Sequence, residues 1–346
     1  MTKSGRFVCQ GRPGFDNLIG MNPTDLPESK PLGEFDLIAW IRRRSGRSGR
    51  VPLGIGDDCA LVEPSTGAGV LVTTDMLMDG RHFRLGEASA VEVGYKALAV
   101  NLSDVAAMAG VPLAAFVAVA LPGDDAVAVA QGLHSGMAPL AERFGVALAG
   151  GDTNAWDGPL VVTITVLGET TGRGAVRRSG AKPGDAIAVT GPLGGSLASG
   201  RHLRPEPRVF EALKIHEQVP IRAMIDLSDG LASDLAHILL ESGGLGAVLD
   251  AGTIPIHPDA RLQSQFDGRS AIDHALNDGE DFELCLTLDP TDLDRLAANP
   301  PEGVSLTRIG TITAEPGIRL RQPDGSIERI VGQGFDHLAT RLEPKR

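Results

Sequence analysis

The chain has 346 residues, 42% hydrophobic and 22% charged, which is ordinary globular usage and enough sequence for two domains with real cores. Its net charge of -12 and its scarcity of aromatics, with one Tyr and two Trp, exclude nucleic-acid platforms and anionic lipid surfaces, and require cations between the protein and any phosphorylated ligand. Three scattered cysteines, Cys9, Cys59 and Cys285, form no C-x-x-C pair, so neither a disulfide framework nor a zinc site is expected and a reducing cytoplasm is.

Residues 1–32 are polar, rich in Gly, Pro and Asn, and read as a loose extension without the apolar core of a signal peptide. No apolar run approaches a membrane span. A helix is expected from Glu34, with Leu37, Ile38 and Ile41 on one face and Arg42 to Arg44 at its negative end. The turn LGIGDDCAL follows, then a short strand, Val70 to Val72, that meets Thr73, Thr74 and Asp75. Tyr95, Leu98, Leu102, Val105 and Ala109 recur at helical steps and predict a helix from Glu92 to Ala109. A second helix is expected over Ala126–Arg143, and strands over Val146–Ala149 and Leu160–Leu167. The Gly- and Arg-rich stretch Gly172–Gly184 marks a domain boundary. Beyond it come a strand, Ala186–Thr190, the glycine-rich GPLGGSLASG, a helix over Leu231–Glu241 closed by Gly243 and Gly244, and a strand over Phe282–Leu288. The expected class is mixed α/β: an extension (1–32), an N-terminal domain (33–171) and a C-terminal α/β domain (172–346).

There is no P-loop, no G-x-G-x-x-G, no G-x-S-x-G and no H-E-x-x-H. What recurs is aspartate beside glycine or a hydroxyl residue: Asp57 and Asp58; Thr73, Thr74 and Asp75; Asp104; Gly150, Gly151 and Asp152; Asp226, Ser228 and Asp229; Gly279, Glu280 and Asp281. Taken singly, each reads as a helix cap or a turn. Together they offer what several magnesium ions need, oxygen ligands delivered one or two per ion from separate loops, with substrate phosphates completing the coordination. Asn101-Leu102-Ser103-Asp104 echoes Asp226-Leu227-Ser228-Asp229, a hint of duplicated halves. Arg177 and Arg178 are candidate phosphate contacts or a solvated pair, and His82 a candidate site residue or a structural one.

The stretches GEFDLIAWI, LGIGDDCAL, TTDMLMDGRHF, YKALAVNLSDVAAMAG, GGDTN, RSGAKPGD, HLRPEPR, IDLSDGLASDLAHI and DGEDFELC resemble, in order from Gly33 to Phe335, thiamine-monophosphate kinase of the aminoimidazole ribonucleotide synthetase-like superfamily. The resemblance implies a two-domain fold whose N-terminal sheet dimerises, and transfer of the ATP γ-phosphoryl group to thiamine monophosphate with Mg2+. It implies Asp58, Thr73, Thr74, Asp75, Asp104, Asp152, Asp226 and Asp229 as metal ligands, with the threonines acting partly through backbone oxygens. Gly151, Asp152, Arg178 and Ser228 fall at nucleotide contacts, and His82, Glu280 and Phe335 at contacts to the thiamine substrate. Three departures are specific to this chain: a shortened segment after Gly200, Asn277-Asp278-Gly279 before Glu280, and Phe335 where Tyr or Trp is usual. The acceptor that the resemblance implies is an anionic phosphate oxygen, so no general base is expected and direct in-line transfer is. The alternatives are another ATP-dependent synthetase of the superfamily, or a non-catalytic nucleotide-binding homologue. Selenide chemistry would want a reactive cysteine in a glycine-rich loop, which Cys9 lacks.

Overall fold

The computed structural model describes residues 60–62, 69–123 and 125–330, all within one compact unit, Arg42–Phe335. A second unit, Met1–Ile41 with Asp336–Arg346, lies outside the described residues, as do the expected helix from Glu34, Asp57, Asp58, Cys9, Cys59 and Phe335.

In chain order the first half comprises β1 (Ala60–Val62), β2 (Val70–Met78), α1 (Ala90–Ala107), β3 (Gly110–Pro122), α2 (Ala126–Phe144), β4 (Ala147–Trp156) and β5 (Val161–Thr170). These strands form one sheet ordered β1-β2-β5-β3-β4, antiparallel except for the β3–β4 pair, which α2 connects. The structure differs from the sequence expectation in β2. It does not stop at Val72 but pairs with β5 from Val70 through Met78, so Thr73, Thr74 and Asp75 lie mid-strand. Threonine favours this, because its branched side chain suits a half-buried pleated surface. β4 likewise runs on through Gly150, Gly151 and Asp152 to Trp156.

α1 begins at a capping box: Ser89 Oγ accepts the Glu92 N–H at 3.2 Å, and Glu92 Oε2 accepts the Ser89 N–H at 3.0 Å. It ends two residues before the expected Ala109, which turns into the left-handed region (φ 50°) and feeds β3 directly. Gly94 and Gly136 let α1 and α2 touch, since a Cβ on either would sit within 2.1 or 1.9 Å of the other helix's backbone.

The second half comprises β6 (Ala186–Val189), α3 (Ser196–Ser199), α4 (Val209–Gln218), β7 (Ala223–Asp226), α5 (Leu231–Glu241), β8 (Gly246–Asp250), α6 (Pro258–Gln263), α7 (Ala271–Asn277), β9 (Leu284–Leu288), α8 (Pro290–Ala298), β10 (Thr307–Thr313), β11 (Gly317–Arg321) and β12 (Ile327–Ile330). Its sheet is ordered β12-β11-β8-β10-β6-β9-β7. The segment joining the two sheets docks on the β7 edge, where the Met224 N–H donates to Arg177 O at 3.0 Å. α1 packs on its own sheet, on α4 and on β7, so it is buried on most sides, and one apolar core runs from Leu71 and Leu98 to Ile215 and Met224. That shared helix brings the middle of β2 and the end of β7 to adjacent residues of α1. No described helix is long and apolar enough to cross a membrane.

Candidate active site

Two hydrogen bonds from adjacent residues of α1 build the centre of the site. Asp104 accepts from the Thr73 hydroxyl of β2. Ser103 Oγ donates to Asp226 Oδ2 at 2.7 Å, at the end of β7. The last turn of α1 therefore ties the two sheets together through carboxylates. The two L-S-D motifs are not local equivalents, which removes the basis for reading them as a duplication. The first lies in helix and the second in the loop after β7. They meet in space instead.

Asp104 sits at the negative end of a helix with no basic residue in its last turn, where a carboxylate is disfavoured. It is not at a helix start, as a simple cap would be. Asp229 donates its N–H to Asp234 Oδ2 at 3.0 Å. Burial, then the charges of Asp229 and Asp226, hold the Asp234 carboxyl well above its usual range, and nearby Arg178 works against that rise. This concentration of negative charge suits a bound cation. The donors are all oxygens, as magnesium requires. Among the described residues no three acidic, His or Cys side chains form a ready-made cage.

Strand register decides which residues join this cluster. Asp75 follows Thr73 on the face of β2 that looks onto the helices, in a row Asp75–Ile164–Val117–Gly151 across the sheet. Asp152 belongs to the neighbouring row, Met76–Thr163–Ala118–Asp152, and so to the opposite face. At three strand spacings it is also ~14 Å from β2. Within one protomer Asp152 does not share the cluster. It binds its own neighbours, the Thr153 N–H at 3.0 Å and Asn154 Nδ2 at 2.9 Å. Thr74 points to the outer face too, where its hydroxyl meets Thr165 Oγ1 at 3.0 Å and Ile164 O at 3.2 Å. Gly151 is required where it stands, because a Cβ there would lie 1.7 Å from Val117 O.

A second group lies beside the first. The Glu280 N–H donates to Ser228 O at 2.7 Å, and Ser196 Oγ donates to Glu280 O at 2.7 Å. Glu280 adopts φ 63°, a left-handed conformation seldom used by non-glycine residues. Its carboxylate pairs with Lys96 of α1, whose side chain is 0% exposed. Lys96 Nζ also donates to His82 O at 2.9 Å. His82 Nδ1 accepts the Met78 N–H at 3.0 Å, which puts the neutral ring's proton on Nε2. His82 and Glu280 are thus brought to one place.

Asp281, expected among the site carboxylates, is structural. It accepts the Gly194 N–H at 2.7 Å and Arg201 Nη2 at 2.9 Å, and burial raises its carboxyl to about 6. Arg208 grips Glu283 with two donors, and those carboxylate contacts overcome the cost of burying the guanidinium. HLRPEPR is therefore a clamp on the loop that carries Glu280. The short segment after Gly200 is closed: Gly200 (φ 76°) ends α3, and Arg201 reaches Gly194 O at 3.0 Å. Asp278, in the altered turn, is anchored by Arg269 Nη1 at 2.8 Å and His274 Nδ1 at 2.9 Å. Sequence reading misses Lys96, Ser103, Asp234 and His202. The last is near Lys96 and Glu280, and burial and the Lys96 charge lower its pKa.

Residues 56–170 match the model of the AIR synthase related protein, N-terminal domain. A thiamine-monophosphate kinase of Rhodopirellula baltica is 40% identical over 311 residues, spanning 88% of this chain and 97% of that protein. The chain belongs to the thiamine-monophosphate kinase family. The Escherichia coli K12 member is 38% identical over 331 residues, spanning 89% of this chain and 99% of its own length. Among solved structures, AaThiL complexed with AMPPCP and TMP superposes with a TM-score of 0.76 at 29% identity, covering 88% of this chain and 97% of that one. The thiamine-monophosphate kinase of Stenotrophomonas maltophilia K279a gives 0.67 at 36% identity, covering 84% and 96%. Escherichia coli HypE, at 19% identity and a TM-score of 0.65, covering 76% of this chain and 85% of its own, shares the fold alone.

Proposed function

We propose that this chain transfers the γ-phosphoryl group of ATP directly to thiamine monophosphate, giving thiamine diphosphate and ADP, in the cytoplasm and with Mg2+. The observation that carries this reading is the adjacency of the two groups. The carboxylates of Asp104 on α1 and Asp226 on β7 come together at Thr73–Asp104 and Ser103–Asp226, and the loop holding Asp226, Ser228 and Asp229 is bonded directly to Glu280. A structure of the family, AaThiL, holds AMPPCP and TMP together, and AMPPCP is an analogue of ATP.

Thr73, Asp75, Asp104, Asp226 and Asp229 would hold the metal ions, with Asp58 added from outside the described residues. When bound, Mg2+ neutralises the phosphates and lowers the repulsion between two anions brought into line. Arg178 adds a fixed positive charge close to Asp234, suited to a nucleotide phosphate, with Ser228 and Gly151 as further nucleotide contacts. His82 and Glu280, with Phe335, hold the acceptor so that its phosphate oxygen faces the γ-phosphorus. That oxygen is already ionised at neutral pH, so no side chain need remove a proton.

A homodimer through the outer face of the first sheet completes the reading. That face exposes Met76, Met78, Phe116 and Trp156, and among the described residues β4 is an edge strand. Asp152 and Gly151 lie on β4, outside their own protomer's cluster, and an interface there is what gives them a role. The test offers ATP with thiamine monophosphate, thiamine or aminoimidazole precursors and measures ADP. Thiamine monophosphate alone is expected to drive ADP release, and release driven only by another acceptor would overturn the proposal.

A further inference from the structure

Lys96 stands in the middle of α1 with its side chain 0% exposed, an expensive place for an ammonium group. Stability does not account for it. A buried ion pair replaced by apolar residues of similar volume often leaves a protein no less stable. Its two contacts are more informative. One is the backbone oxygen of His82, in the loop after β2 of the first sheet. The other is Glu280 Oε2, in the loop before β9 of the second sheet. These are the two described residues read above as acceptor contacts, and Lys96 touches both. The rest of Glu280 is fixed as well. Its N–H is held by Ser228 O, its carbonyl by Ser196 Oγ, and its φ of 63° is one that a free glutamate avoids. Among the described residues its second oxygen, Oε1, has no hydrogen-bond partner, and the residue lines a cavity of about 150 Å³ with Ser196, Arg201 and His257. Glu280 therefore has one oxygen tied to Lys96 and the other unbonded among the described residues, in a residue that lines this cavity.

We infer that Lys96 is the positioning residue of the acceptor pocket: it sets the spacing between His82 and Glu280 and aims the free oxygen of Glu280 at the acceptor. This rests on the reading of Glu280 as an acceptor contact and goes one step beyond it. Lys96 meets no substrate; it acts through Glu280 and through the His82 backbone. A cation at this place also sets the charge of the pocket. With Lys96 present, Glu280 is a paired carboxylate of fixed direction. Without Lys96 it is a lone charge, 20% exposed, free to turn toward solvent or toward nearby His202.

Steady-state kinetics of Lys96→Met, Lys96→Gln, Glu280→Gln and the double variant Lys96→Met/Glu280→Gln test this, with melting temperatures measured alongside. The expected result for Lys96→Met is a rise of at least tenfold in the KM for thiamine monophosphate, with the KM for ATP within twofold of the parent. Lys96→Gln keeps a donor for His82 O and is expected to fall between, which supplies a reading if the methionine variant fails to fold. On the Glu280→Gln background, the further effect of Lys96→Met on that KM should shrink to about threefold or less, because Lys96 acts through the same carboxylate. Equal rises in both KM values, or fully multiplicative effects of the two substitutions, would overturn the inference. Glu280→Gln by itself checks the underlying reading. If it leaves the KM for thiamine monophosphate unchanged, Glu280 is no acceptor contact and the reading itself fails; if it raises that KM while neither Lys96 variant does, the role of Lys96 alone fails.

Discussion

Arg208→Met isolates the clamp beneath the acceptor loop. Arg208 Nε donates to Glu283 Oε2 at 2.8 Å and Nη2 donates to Oε1, while Glu283 is 6% exposed and Arg208 23%. The substitution leaves the Glu283 carboxylate buried with the Thr190 hydroxyl, at 2.6 Å, as its remaining side-chain donor. Removing one partner of a buried pair costs about 3–5 kcal/mol. The partial exposure of Arg208 places this case near ~3 kcal/mol, since water can replace some of what is lost. In a chain of 346 residues, at about 2.1 cal/mol/K of unfolding entropy per residue, that is a fall in Tm of roughly 4 °C. Differential scanning calorimetry of Arg208→Met and of Arg208→Met/Glu283→Gln provides the assay. The double variant should recover at least half of the loss, because it removes the stranded charge. A single variant within about 2 °C of the parent, or a double variant as unstable as the single one, would refute the clamp.

Asp226→Asn and Asp229→Asn are expected to lower turnover by about a hundredfold or more while leaving Tm nearly unchanged, since amides keep the shape but lose the charge that holds a metal; near-parental rates at limiting magnesium would count against them as ligands. Gly151→Ala is expected to lower Tm and solubility together, because its Cβ would lie 1.7 Å from Val117 O on the adjacent strand. Circular dichroism melts unchanged from the parent would contradict the register given for β3 and β4. Cys285 is fully buried, and burial pushes its thiol well above the ordinary range. It should resist iodoacetamide in the native protein and react in denaturant, as read by peptide mass spectrometry.

Among the described helices α1, α2 and α5 were legible, whereas α4, α6, α7 and α8 were not expected from the sequence. Leu231–Glu241 is found where its periodicity and glycine stop place it, and α1 is displaced by two residues at each end. The strands expected in the first sheet were too short, whereas those expected over Ala186–Thr190 and Phe282–Leu288 run one and two residues past the observed β6 and β9. β2 and β4 continue through Thr-Thr-Asp and Gly-Gly-Asp, whose polar and glycine residues look like strand ends when read locally. They stay extended because neighbouring strands pair with them throughout. β3, from Gly110 to Pro122, has no clean alternation to announce it and is recognisable as a strand only between β5 and β4. In the site, aspartates beside small residues were visible as a class, but their faces were not. Asp75 and Asp152 look alike in sequence and lie on opposite faces of one sheet. Lys96 and Glu280 are 184 positions apart, so nothing local links them. Asp281 carries the same local signature as its neighbour Glu280 and is instead bound to Arg201.

Phosphorus NMR of the purified enzyme with ATP, Mg2+ and thiamine monophosphate tests phosphoryl transfer at this site most directly. The account predicts that thiamine diphosphate and ADP appear one for one, that the thiamine monophosphate signal declines in step, and that Asp226→Asn suppresses all three changes. ADP accumulating with inorganic phosphate while thiamine monophosphate stays intact would contradict it.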